Sequence, residues 1–274
     1  MPLPPVLVQI SDPHVVAPGR LLSGDIDTPA LLAQTVQAVR RLQPPPTAVV
    51  VTGDLVDRGS VDEYAHLRTL LTPLACPLYL MPGNHDDPAV MRAAFADHGY
   101  LAPMPDPALA PYVLFAQDLG GLRLVALDTV VPRAAHGTLC ADRLAWLDTT
   151  LAAQPDMPTI VAMHHPPFIT GIAHMDRIGL LEGADALEQV IRRHPQVERV
   201  ICGHLHRTIQ RRFGATVAMT VPSSAHQILL DLRDDGPPAF LDEPPGFAVH
   251  TQRDGALVSH IAASGDYGPI KLYR

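Results

Sequence analysis

The sequence predicts an α/β fold with an α+β character towards its end, on three observations. Short apolar runs alternate with amphipathic helical stretches through the first three quarters of the 274 residues. Clusters of Asp, Asn and His follow the ends of those runs. The last quarter changes to paired segments split at glycines, as antiparallel strands are. Composition supports a globular chain, because 47% hydrophobic and 18% charged residues leave enough apolar side chain for a sizeable core. No repeat and no long low-complexity linker divides it, so one domain with additions is expected.

Each element has a local reason. Val6–Ile10 is a short apolar run suited to a buried strand. Thr28-Pro29 reads as an N-cap and first-turn proline, opening a helix with Leu32, Val36, Val39 and Leu42 on one face. Ala48–Val51 is a β-branched run, hence a second buried strand. Ser60 with Glu63 makes a capping box for a helix carrying Leu67, Leu70 and Leu71 inward. Leu78–Met81 is a third strand, and Asp87-Pro88 caps a helix expected to end near Gly99. Tyr112–Gln117 and Leu122–Leu127 read as a hairpin across Gly120-Gly121. A helix with Leu144, Leu147 and Leu151, a strand over Thr159–Met163, a helix over Ala184–His194 and a strand over Val197–Ile201 follow. Thr208–Phe213 with Ala215–Thr220, and Phe247–Gln252 with Ala256–Ile261, read as hairpins.

Charge and cysteine usage exclude some functions. With 20 Lys+Arg against 28 Asp+Glu the net charge is −8, which argues against binding polymeric nucleic acid. No apolar run approaches the roughly 18 residues that span a bilayer, so no membrane partner is expected. The first residues lack the basic, apolar, small-residue pattern of a secretory signal. Cys76, Cys140 and Cys202 are odd in number and scattered, which fits a reducing, cytoplasmic location better than a disulfide framework.

The chemistry follows the strands. Asp12-Pro13-His14 comes after the first, Gly53-Asp54 after the second with Asp57 and Arg58 behind it, and Gly83-Asn84-His85-Asp86 after the third. His164-His165-Pro166-Pro167 and Gly203-His204-Leu205-His206 follow two later strands. Ligands of α/β sheets bind outside the carboxyl ends of strands, so these clusters are expected to meet. Carboxylate and imidazole without thiolate suit Zn, Mn, Fe, Co or Ni. Two such ions about 3.5–4 Å apart are the usual clamp for displacement at phosphorus. Singly, Asp-x-His is a capped loop and Gly-Asp a turn; the ordered set, each block after a strand, is what points to a site. The glycines beside Asp54, Asn84 and His204 are expected to let the backbone turn sharply.

These five blocks resemble the calcineurin-like metallophosphoesterase family over residues 6 to about 213. His174-Met175-Asp176 and Ser223-Ser224-Ala225-His226-Gln227 resemble its bacterial branch of class III cyclic-nucleotide phosphodiesterases and glycerophosphodiesterases. The resemblance implies a two-layer β-sandwich flanked by helices, with a dinuclear metal site at the carboxyl ends of the strands. It implies a divalent or mixed-valence pair of transition-metal ions (Mn, Fe, Zn or Co), one held by Asp12, His14 and His206 and the other by Asn84, His164 and His204. Asp54 would bridge them, and His85 would face the substrate as acid or phosphoryl contact. His226, His174, Asp176 and Arg58 are further substrate-contact candidates, with His174 and Asp176 on a lid over 168–182. His165 is expected to be structural, and His66, His98, His194, His250 and His260 ordinary surface or core residues.

The expected function is thus metal-dependent hydrolysis of a small phosphodiester, 3′,5′-cyclic nucleotides first. Glycerophosphodiesters, with broader diester and phosphonate ester activity, are the alternative, and a metal-free protein-binding scaffold the remote one. Residues 1–231 are expected to form the catalytic domain. Residues 232–274 would be a hairpin extension packed on it, serving as a cap or in homo-oligomer formation.

Overall fold

The computed structural model describes residues 4–273. In chain order it contains β1 (Val6–Ile10), α1 (Thr28–Arg40), β2 (Ala48–Thr52), α2 (Val61–Leu71), β3 (Leu78–Met81), α3 (Pro88–Ala94), β4 (Phe115–Asp118), β5 (Arg123–Ala126) and β6 (Gly137–Thr138). Then come α4 (Ala141–Ala152), β7 (Thr159–Met163), α5 (Ala173–Asp176), β8 (Leu180–Glu182), α6 (Ala184–Arg193), β9 (Val197–Cys202), β10 (Gln210–Phe213) and β11 (Thr216–Thr220). The short strands β12 (Gln227–Ile228) and β13 (Phe240–Leu241) precede the long hairpin β14 (Gly246–Arg253) and β15 (Ala256–Ala263).

Two sheets form the expected sandwich, with orders β15-β14-β1-β2-β3 and β10-β11-β9-β7-β5-β4. Strands β1, β2 and β3 are mutually parallel, as are β5, β7, β9 and β11. Parallel strands covered on both faces need continuous apolar runs, and β1, β2 and β7 are buried along their whole length. Alternation along β7 sorts its residues between two cores. Ile160 and Ala162 join the core shared by both sheets, α1 and α2, while Val161 and Met163 pack with Leu147 of α4 and Ile191 of α6.

The C-terminal hairpin belongs to the first sheet. Strand β14 pairs antiparallel with β1, Val8 opposite Val249, and β15 forms the sheet's edge. Its turn is the two residues Asp254 and Gly255, with φ of 52° and 77°, the mirror-type turn that suits strand twist.

Caps match the sequence at Ser60–Glu63 and Asp87, but not at the first helix. There Asp27, not Thr28, accepts the Ala30 N–H, and Thr28 is buried with its hydroxyl on the His14 carbonyl at 2.7 Å. The helix after Asp87 stops at Ala94, and only a single tight turn over Gly99–Leu101 follows.

Candidate metal centre

The loops after β1, β2, β3, β7 and β9 converge at one rim, joined by backbone hydrogen bonds. The Asp12 and His14 N–H groups donate to Gly53 O and Asp54 O at 3.2 and 2.9 Å, and Gly203 N–H donates to His164 O at 3.0 Å. Asp12 Oδ1 accepts the His204 N–H at 2.8 Å across the sandwich.

Backbone strain concentrates here. Asp12, His14, Asp54, His204 and His206 are left-handed, with φ between 43° and 70°. Such conformations cost non-glycine residues of order 1 kcal/mol each and persist only where surrounding structure enforces them. The expectation that neighbouring glycines supply the turns is corrected at two positions. Only Gly53 has positive φ; Gly83 and Gly203 are needed for space. A Cβ on Gly203 would lie 2.5 Å from Thr52 O, and one on Gly83 would strike Asp54 itself.

Two groups of side chains result. Asp12, His14, Asp54 and His206 place one ligand atom each within 4.8 Å of one another, all buried. His14 Nε2 lies 3.1 Å from His206 Nε2, two imidazole nitrogens aimed at a common point. Beside them, His164 Nε2 lies 3.1 Å from Asn84 Oδ1 and 3.4 Å from Asp54 Oδ1, while Asp54 Oδ2 is 3.6 Å from His14 Nε2. One Asp54 carboxylate thus faces both groups. His204 packs against His164, ring centroids 5.1 Å apart.

Backbone carbonyls fix which ring nitrogen is free. His164 Nδ1–H donates to Thr52 O at 2.9 Å and His206 Nδ1–H to His226 O at 2.9 Å, so each ring, when neutral, presents an Nε2 lone pair. His165 differs from its neighbour, with Nε2–H on Ala135 O at 3.2 Å and Nδ1 on the Thr129 hydroxyl at 2.8 Å. Both its nitrogens are used, which leaves it no ligand capacity.

Electrostatics also favour a bound cation. Burial holds His14 well below the ordinary imidazole range, His204 down to about 3 and His206 down to about 4, so all three are neutral donors. Burial disfavours ionised Asp54, yet His164 and His14 hold it well below the carboxylate range. Burial likewise opposes charge on His164, but Asp54 and Asp12 outweigh it and lift His164 to about 9. The carboxylates thus draw positive charge to this point. Among the described residues, the buried polar side-chain atoms without a hydrogen-bond partner are Asp12 Oδ2, His204 Nε2 and His226 Nδ1, all at this rim. Orphaned buried polar atoms are costly unless something binds them. The donor set fits two divalent ions.

A cavity of about 290 Å³ lies over the cluster, walled by His85, Asp57 and His226 and by apolar Leu22, Met175, Ile178 and Ile228. His85 donates its backbone N–H to Asp54 Oδ1 at 2.9 Å and its Nδ1–H to Asp57 O at 2.8 Å, leaving Nε2 free. Burial lowers its basicity, but Asp54 and the Asp57 contacts prevail and raise it. His226 packs at a steep tilt against His206, centroids 4.6 Å apart, and edge-on against Phe240 at 4.9 Å.

The structure does not bring every candidate to the cavity. Asp176 spends both carboxylate oxygens on Thr170 and Gly171, tying the 168–176 loop, and His174 lines no part of the wall. Arg58 is 3.3 Å from Asp57 and opens onto a separate groove of about 550 Å³ beyond Asn84 and His85. Sequence reading missed Asp86, which accepts Leu55 N–H, Gly83 N–H and the Tyr64 hydroxyl at 2.8–3.0 Å and so sets the Asn84 loop against the Asp54 loop. Its place in the Gly83–Asp86 block was the available signal; the apolar wall had none.

Residues 5–208 match the family description calcineurin-like phosphoesterase. The chain belongs to this family. It is 34% identical to a glycerophosphodiester phosphodiesterase of Enterobacter lignolyticus, over 98% of this chain and 94% of that one. It is 33% identical to a 3′,5′-cyclic adenosine monophosphate phosphodiesterase of Pseudomonas aeruginosa, over 81% and 77% of the two. Among solved structures it resembles a dimetal phosphatase from Danio rerio, with a TM-score of 0.69 and 16% identity over 97% of this chain and 98% of that one, a likeness of fold.

Proposed function

We propose that this chain is a dinuclear-metal phosphodiesterase for small diesters, with 3′,5′-cyclic nucleotides as the first substrate class. The observation that carries the reading is the double ligand cluster sharing Asp54, open to a cavity with the unclaimed His85 Nε2 on its wall. Asp12, His14, Asp54 and His206 would hold one ion, and Asp54, Asn84, His164 and His204 the other. When bound, such ions supply Lewis-acid activation of the phosphoryl group and of the attacking water.

The protein's own groups do the rest. His85 is anchored through Nδ1, so its Nε2 projects at the reacting phosphorus with one orientation. Asp54 and Asp57 favour its protonated form. The Nε2 proton passes to the ester oxygen as the P–O bond breaks, so that an alcohol leaves instead of an alkoxide. His226 presents a neutral ring, since burial and then His206 hold it down to about 3. Leu22, Met175, Ile178 and Ile228 offer a dry wall to a nucleoside's flat apolar face.

A second reading, an acyclic glycerophosphodiester, is favoured by the groove beyond Asn84 and His85. Two recesses flanking the reacting centre suit two separate alcohols, whereas a cyclic diester carries both ester oxygens on one sugar. The test is kcat/KM for cyclic nucleotides, glycerophosphodiesters and monoesters, each with Mn, Fe, Co and Zn. Ranking cyclic nucleotides first supports the first reading, and ranking acyclic diesters first supports the second. A preference for monoesters throughout, or no metal dependence, would overturn both.

No helix among the described residues is long and apolar enough to cross a membrane. The edge position of β15 leaves the C-terminal hairpin open to a role in homo-oligomer formation.

A further inference from the structure

We propose that Gln9 and His250, which touch no ligand atom, are positioning residues that set the His164–His204 half of the metal centre and leave the other half largely alone. The inference rests on the dinuclear reading. Gln9 is the one polar residue of β1 and is 0% exposed, in a strand otherwise wholly apolar. Its Nε2 donates to Cys202 O and to Thr52 Oγ1, both at 3.0 Å. Cys202 ends β9 in one sheet and Thr52 ends β2 in the other, so one amide clamps the two sheets at their ligand-bearing ends.

The proton order of the network follows from one atom. A carbonyl only accepts, so the Gln9 amide nitrogen must face Cys202, and Gln9 Oε1 must face away. Oε1 meets His250 Nε2 at 3.2 Å, which therefore carries the proton. His250 Nδ1 then accepts from the Ser259 hydroxyl at 2.8 Å. The buried imidazole, supplied by β14 beside β1, thus locks the amide in the orientation that reaches β9.

The two clamped residues lead to the half of the site that carries His164 and His204, and Thr52 also stands two residues before Asp54, which both halves share. Thr52 O receives the His164 Nδ1–H, and Cys202 stands two residues before His204. The other half is held elsewhere. Thr28 fixes the His14 carbonyl, His226 O fixes the His206 ring, and Ser223 Oγ donates to Asp12 O at 2.7 Å. Close packing amplifies any slip, since Gly203 already lies where a Cβ would be 2.5 Å from Thr52 O.

The test is a Mn(II) titration of metal-stripped full-length protein by calorimetry, with electron paramagnetic resonance to distinguish coupled from isolated ions. Wild type should take two ions with a coupled spectrum. Gln9→Leu should keep the first ion within about threefold of wild-type affinity and weaken the second at least tenfold, leaving an isolated-ion spectrum. His250→Leu should do the same, and His250→Gln, which retains an N–H for Gln9 Oε1, should restore the coupled pair. A merely structural role would lower both affinities together with Tm and would not be rescued by Gln at 250. Equal weakening of both ions, or wild-type behaviour in both Gln9→Leu and His250→Leu, overturns the inference. Failure of wild type to take a second ion overturns instead the dinuclear reading beneath it.

Discussion

In the floor of the site, five of the seven candidate ligands (Asp12, His14, Asp54, His204 and His206) hold left-handed backbone, all but Asn84 lie buried, and main-chain carbonyls set the rings of His164 and His206. In the covering segment, residues 168–182, the chain makes one short helix and the three-residue strand β8, which pairs with β6, and leaves Ile169 and Leu181 70% and 53% exposed. That segment is fastened at its ends by Phe168 in the second core and by the β6–β8 pairing, and between them by the Asp176 carboxylate and a small apolar cluster of Ile172, Met175 and Leu205. The floor is fixed by backbone and ring hydrogen bonds, whereas the cover meets the cavity through the apolar side chains of Met175 and Ile178. On the proposed reading, the first region sets reaction type and the second substrate preference.

The strongest way to break this contrast is Asp54→Ala. Both metal positions face this carboxylate, so metal analysis should find fewer than two ions per chain and kcat/KM should fall by ~10³-fold or more. Retained turnover would remove the shared-ligand reading. Next in size is His85→Ala, which should keep both ions and slow diesters with basic alcohols by ~10²-fold, p-nitrophenyl diesters less. Equal losses would deny His85 the acid role.

A third experiment sharpens the floor itself. His164→Ala should cost an ion, whereas its neighbour His165→Ala should keep both ions and lose about 2–4 kcal/mol of stability, since a buried, doubly hydrogen-bonded ring leaves a hole and unpaired partners. Metal content and denaturant midpoints, measured together, decide it. Acid stability offers a fourth. Burial, then Arg199 and His260, holds His250 down to about 3 in the fold against 6.5 unfolded. The unfolded chain therefore binds more protons between those values, and this contribution is complete above pH 6.5 and shrinks as pH falls, by up to ~1.4 kcal/mol per unit. His250→Gln should flatten that limb in urea midpoints taken from pH 7 to 4; an unchanged slope would refute the assignment. The smallest effect is expected in the cover. Met175→Ala should change the cyclic-to-acyclic kcat/KM ratio by about three- to tenfold with metal content unchanged. An unaltered ratio would mean that the cover does not select.

Legibility followed the range of the forces involved. The Ser60–Glu63 capping box, the Asp87 cap, the buried strands and the five chemical blocks are written in nearby residues, so their spacing was readable. Thr28 was misread because its hydroxyl goes to His14, a partner fourteen positions away that local capping rules ignore. His165 and His164 are adjacent and chemically identical, and only Thr129 and Ala135 make one structural. Asp176 looked like a substrate contact until the loop folded back onto it.

The sequence alone determined that strand ends would carry carboxylate, imidazole and carboxamide groups in a fixed order, because hydrophobic period and residue chemistry are local properties. Tertiary structure decided the rest. It brought Gln9 against Cys202 across 193 positions and laid the 246–263 hairpin beside the first strand. It also put left-handed backbone on candidate ligands themselves, at Asp12, His14, Asp54, His204 and His206, with Gly53 the one flanking glycine that shares it. Those outcomes depend on how two sheets stack and on which buried polar atoms then lack partners, and no window along the chain contains that information.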